Sequence, residues 1–151
     1  MTQIKPYLSK MLGLGGLILL CCGLFLTAPL PVHSQPYYMP TEQITDAYEN
    51  GLSDVMVEAS GTVERLLPDD TIGSRHQRFI VRVGRNHTVL ISHNIDPDIG
   101  QRIAGIRVGD TVRFRGEYEW NDLGGIIHWT HRDPDQEHPD GWIEHNGVRY
   151  W

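Results

Sequence analysis

The chain has 151 residues, with nineteen acidic side chains against thirteen basic ones, eight histidines and two cysteines. That length supports one domain with a modest core and excludes two ordinary ones. The formal net charge of −6 argues against a sequence-independent grip on nucleic acid phosphates.

The first segment reads as an export signal. Lys5 and Lys10 precede an uncharged apolar run over residues 11–26, and Val32-His33-Ser34 ahead of Gln35 offers small residues for cleavage. The run also lies at the short edge of what spans a bilayer, so residues 1–34 are either a signal peptide or, uncleaved, an N-terminal membrane anchor and the one expected membrane contact. Both cysteines and both lysines fall inside it. A periplasmic or secreted mature domain would then carry eleven arginines against nineteen acids. It would have no disulfide, thiolate metal site, cysteine nucleophile or Schiff-base lysine.

Residues 35–53 form a linker and a short helix. QPYYMP is proline-flanked and aperiodic; Thr41 then offers a cap, Ile44, Ala47 and Tyr48 recur at helical spacing, and Gly51 follows as a stop. Over 54–151 the period becomes two. Val57, Ala59, Gly61 and Val63 mark the inner face of a first strand; Phe79, Val81 and Val83 that of a second; Val89 and Ile91 that of a third, which runs over residues 87–95. Residues 96–108 hold a proline and two glycines and interrupt the strands. In the fourth strand Val112, Phe114, Gly116, Tyr118 and Trp120 alternate with Thr111, Arg113, Arg115, Glu117 and Glu119. NDLGG (121–125) reads as a hairpin loop, and residues 126–132 return as a fifth strand. Asn146-Gly147 turns a C-terminal hairpin. Five short strands with the long connection after the third predict an all-β fold, a small five-stranded OB-like β-barrel with a short N-terminal helix and a C-terminal hairpin. Gly61 and Gly116, mid-strand on the inward face, suit its coiling.

The blocks GTVERLLPDD, GSRHQRFIVRV, LISHNID, VGDTVRFRGEYEWN, GGIIHWTHRDP and HPDGWIEHNGVRY, in that order, resemble the bacterial family known as domain of unknown function 3465 over residues 54–150. The resemblance implies small, exported proteins with an OB-like fold. It assigns no activity and carries no catalytic residue over.

Chemistry is most concentrated in GGIIHWTHRDPDQEHPDGW (124–142). On a regular strand His128 and His131 face opposite ways, but a following loop could return toward His131. His131, Asp133 and His138 are thus candidate ligands for a divalent metal ion; a turn-rich loop is the structural alternative. The hairpin of the second and third strands brings a second cluster to one end. There His76, His93, Asp96 and His128 are candidate acid/base residues, and Arg75, Arg78, Asn94, Trp120 and Trp129 candidate ligand-binding residues. Glu117 and Glu119 read as part of a solvated row with Arg113 and Arg115. These residues point to an exported cell-envelope module for a small or polymeric anionic ligand, of nucleic acid or saccharide type. The alternatives are a histidine-dependent or metal-assisted hydrolase of phosphodiester-like substrates and a structural envelope protein.

Overall fold

The computed structural model describes residues 40–151; the expected signal peptide or anchor over residues 1–34 and most of the expected linker lie outside the described residues. The first element is α1 (Pro40–Glu49), followed by strands β1 (Val55–Leu66), β2 (His76–Val83), β3 (His87–Asn94), β4 (Thr111–Glu119), β5 (Ile126–His128), β6 (Trp142–His145) and β7 (Val148–Tyr150). The sheet order is β1-β2-β3-β5-β4-β6-β7, and an additional β1–β4 pairing closes the first five strands into a barrel. Among the described strands only β3 and β5 run parallel. The OB-like barrel, the short helix and the terminal hairpin all agree with the sequence.

Alternation explains where the core lies. Val57, Ala59, Val63, Phe79, Val81, Val83, Val89, Ile91, Val112, Phe114 and Tyr118 are buried, and Ile44 and Ala47 of α1 join them. Burying each such side chain contributes roughly 1.5–3 kcal/mol relative to leaving it in water. β1 is long enough to serve two neighbours: its first half pairs with β4 and its second with β2, the register shifting between Val63 and Arg65. That irregularity lets one strand turn the barrel's corner. In the β3–β4 connection Ile103 and Ile106 plug the core without a helix. Gln77 clamps this segment by accepting from Ile103 N at 2.8 Å and donating to its carbonyl at 3.3 Å.

β4 is the strand that organises the site. One edge pairs along its length with β1, while the other is shared, β5 taking residues 117–119 and β6 taking 112–115. β6 thereby covers backbone groups that the three-residue β5 would leave exposed. Guanidinium groups and indoles fasten the terminal hairpin: Arg113 and Arg149 lie over Trp142 at 5.6 and 4.1 Å, and Arg149 and Arg132 over Trp151 at 5.6 and 4.1 Å.

At Gly116 the backbone of β4 lies tight against the end of β5, and a methyl group there would stand 2.5 Å from His128 O and 2.8 Å from Thr130 Cγ2. Gly116→Ala is expected to cost roughly 1–3 kcal/mol as an overpacked contact against backbone, read as a lowered Tm. A Tm equal to that of the wild type would show that β5 yields freely.

Two features depart from the sequence reading. Trp120 continues the apolar row in sequence yet is 45% exposed, because β4 ends at Glu119. Its backbone N–H donates to Ser53 Oγ and its indole N–H to Tyr48 O. The fifth strand stops at His128 instead of running to residue 132, because Trp129 takes a left-handed backbone conformation (φ 49°).

A candidate metal centre on the outer face of β4 and β5

Glu117 and Glu119 lie two apart on β4 and therefore on one face. Antiparallel pairing sets His128 directly opposite Glu117, with Glu119 on the diagonal. His128 Nε2 lies 3.4 Å from Glu117 Oε1 and 3.8 Å from Glu119 Oε1. One ligand atom from each of the three residues falls within 4.8 Å of the others, and this is the one such trio among the described residues. Glu117 is only 7% exposed, and the one basic side chain within ion-pair distance of it among those residues is His128, which carries charge only when protonated. His128 Nε2 is itself buried without a hydrogen-bond partner.

This is a costly arrangement for a metal-free protein. Burial raises the Glu117 carboxyl above its usual range, and the charges of Glu119 and Asp54 raise it further. Burial also lowers the His128 imidazole, against the pull of Glu119. The trio thus lacks the charge compensation that buried carboxylates normally have. Two carboxylate oxygens and an imidazole nitrogen are ligands suited to manganese, iron or zinc.

The left-handed turn at Trp129 organises the next residues. It stacks the indole on His138, with centroids 4.3 Å apart, and sets it 5.1 Å from the His128 ring. Thr130 turns inward and is fully buried. His93 Nε2–H donates to Gln101 O at 2.8 Å, since a carbonyl can only accept, and His93 Nδ1 then accepts from Thr130 Oγ1 at 2.7 Å. The loop beyond folds back on Asp133. Its carboxylate accepts from Asp135 N at 3.1 Å and His138 N at 2.6 Å, and the His138 amide leads the groups that hold it below the usual carboxylate range.

The other candidate residues fall into place around this centre. His93 is not available as a general base, because it is completely buried and both ring nitrogens are engaged. Asp96 orients no histidine among the described residues; its carboxylate accepts from Arg75 N at 3.1 Å. Asn94 is buried and accepts from Asp96 N through Oδ1, and Arg78 Nε donates to Pro68 O. His76 is half-buried opposite Asn94. No hydrogen bond joins any two of His76, His93, His128 and His131 among the described residues. The loop does bring His138 to His131, with centroids 5.0 Å apart, but the ligand atoms of His131, Asp133 and His138 do not converge as a trio. The sequence reading missed Glu117 and Glu119. Their spacing was visible, whereas the burial of Glu117 and the register of His128 were not.

A closed five-stranded OB-like barrel bearing a Glu-Glu-His group on its outer face is the class of protein that these features define. Residues 26–151 match the family described as Protein of unknown function (DUF3465), and the chain belongs to that family. Neither the curated proteins nor the solved structures give a match.

Proposed function

We propose that this chain is an exported OB-like binding module that holds one divalent cation at Glu117, Glu119 and His128 and presents it to an anionic ligand. The observation that carries the reading is His128 Nε2, buried and unpartnered with two carboxylate oxygens 3.4 and 3.8 Å away. A cation there would neutralise the carboxylates and use the idle nitrogen lone pair. Three protein ligands leave coordination positions open to an incoming anion, and the half-buried Trp129 beside His128 offers a stacking surface to a base or sugar ring. Export rests on the apolar run behind Lys5 and Lys10. The engaged nitrogens of His93 favour binding over hydrolysis, which needs a base within reach of ion-bound water.

The test is calorimetric titration of the metal-free chain with Mn²⁺. One equivalent is expected to bind, and His128→Ala is expected to abolish that binding while the far-ultraviolet circular dichroism is unchanged. Absence of Mn²⁺ binding by the wild-type chain would overturn the proposal.

A further inference from the structure

The loop after β5 builds a second pair of metal-ligating atoms that the first centre does not use. His131 Nδ1 lies 2.7 Å from Arg132 O and His138 Nδ1 lies 3.0 Å from Pro139 O. A carbonyl oxygen only accepts, so each Nδ1 carries the hydrogen and each Nε2 keeps a lone pair. That is the tautomer found in metal-bound histidines, whose second nitrogen donates to a carbonyl or carboxylate. Neither Nε2 has a hydrogen-bond or ion-pair partner among the described residues.

Both rings are also held in place. They meet edge to face at a centroid distance of 5.0 Å, and His138 is stacked on Trp129 at 4.3 Å. The backbone between them is tied at several points. Asp133 accepts from two loop amides, Asp140 Oδ1 accepts from Asp133 N at 2.9 Å, and Gly141 N donates to His131 O at 2.8 Å. Gly141 packs against Trp129 O and Arg115 O so closely that no side chain fits there. Asp133 thus serves as the loop's internal anchor, its oxygens occupied, and the ligand atoms left free are the two imidazole nitrogens. His131 and His138 line a cleft of about 560 Å³ whose charged walls are Asp98, Asp133, Asp135 and Glu137 against the single guanidinium of Arg132. These carboxylates attract a cation and leave room for water or an added oxygen ligand.

We propose that His131 and His138 form a second metal site, selective for imidazole-seeking ions of the Cu²⁺, Ni²⁺ and Zn²⁺ class. Imidazole suits those ions, whereas carboxylate oxygens suit Mg²⁺, Ca²⁺ and Mn²⁺. The two centres therefore differ in ligand set, two imidazoles against two carboxylates and one imidazole, and overlap at Zn²⁺, although Trp129 touches a histidine of each. The inference stands independently of the Glu117 centre.

The test is titration of the metal-free full-length chain with Cu²⁺, followed by tryptophan emission and electron paramagnetic resonance. Bound Cu²⁺ is expected to quench the Trp129 share of the emission and to show hyperfine coupling to two imidazole nitrogens. His131→Ala and His138→Ala are each expected to weaken that binding at least about 10-fold, matching or exceeding what loss of a second-shell partner costs. Glu117→Gln is expected to leave it unchanged, and excess Mn²⁺ not to displace it. Each histidine variant tests the site alone should the other not fold. The proposal is overturned if the two-nitrogen signal is absent, survives both histidine substitutions, or disappears in Glu117→Gln. Loss of Mn²⁺ binding with the Cu²⁺ signal intact would instead sink only the Glu117 centre.

Discussion

Glu117→Gln is expected to weaken Mn²⁺ binding by at least about 100-fold, the upper end of what loss of a second-shell partner costs a metal site. Glutamine has nearly the shape of glutamate, so the substitution keeps the packing under Met56 and His128, its neighbours in register, and removes only the charge and one anionic ligand atom. The metal-free protein should respond in the opposite direction. Glu117 is buried beside Glu119 with no arginine in ion-pair range among the described residues, and replacing a poorly compensated buried charge by a neutral isostere is often neutral or stabilising. The metal-free variant should therefore melt at or above the wild-type temperature. Mn²⁺ at a concentration that fills the wild-type site but lies below the variant's Kd should raise Tm in the wild type and leave the variant nearly unmoved, because the gain from mass action grows with the ratio of free ion to Kd. Thermal melts with and without Mn²⁺ check both halves. A variant that keeps its Mn²⁺-dependent shift, or a metal-free variant that melts far below the wild type, would show that Glu117 is a structural residue.

Acid is expected to unlock the barrel through His93. Burial lowers the imidazole from 6.5 to about 4, and the charges of His131 and His76 add to the effect of burial against the carbonyl of Gln101. Between those values the unfolded chain binds a proton at this position and the folded chain does not. Stability is therefore fully present above pH 6.5 and falls as the pH drops toward 4, by about 3 kcal/mol in total. The contacts to Gln101 and Thr130 oppose burial without overcoming it, and protonation also disturbs the hydroxyl contact. His93 Nδ1 accepts from Thr130 Oγ1 in the neutral ring, and a proton on Nδ1 removes that acceptor. Urea unfolding at intervals from pH 7 to 4.5 measures the slope. His93→Gln, which cannot titrate, should flatten most of it, although breaking this buried network costs roughly 1–3 kcal/mol at neutral pH. An undiminished slope in His93→Gln would assign the acid sensitivity to other groups.

The two centres were legible in the sequence to different degrees, and the difference turns on one residue of loop length. Read as a five-residue loop, NDLGG pairs Trp120 with Ile126 and sets His128 opposite the inward Tyr118. The turn actually spans six residues, pairing Glu119 with Ile126 and setting His128 opposite Glu117. A shift of one residue exchanges the two faces of a strand, so a histidine expected at a barrel mouth lies on the carboxylate row. The loop over residues 131–141 was easier to foresee in outline, because aspartate, proline and glycine make turns and a return toward His131 followed from that. Which of its polar groups would be free was not foreseeable. Asp133 has the chemistry of a ligand, but its oxygens are taken by amides that only the folded loop brings to it.

His93 teaches the same lesson from the interior. It stands two residues after Ile91 and four after Val89, so the period of two places it on the inward face of β3. That parity was readable, yet its buried partners Thr130 and Gln101 come from segments joined to it only by the fold.

The sequence by itself determined the barrel, the inward face of every long strand, the short helix and the terminal hairpin, because period-two burial and turn chemistry are local properties of the chain. Only the tertiary structure decided which polar side chains share a face. That depends on strand register, on the left-handed turn at Trp129 and on which hydrogen-bonding groups the closed barrel has already satisfied, and each of these is set by residues far apart in the chain.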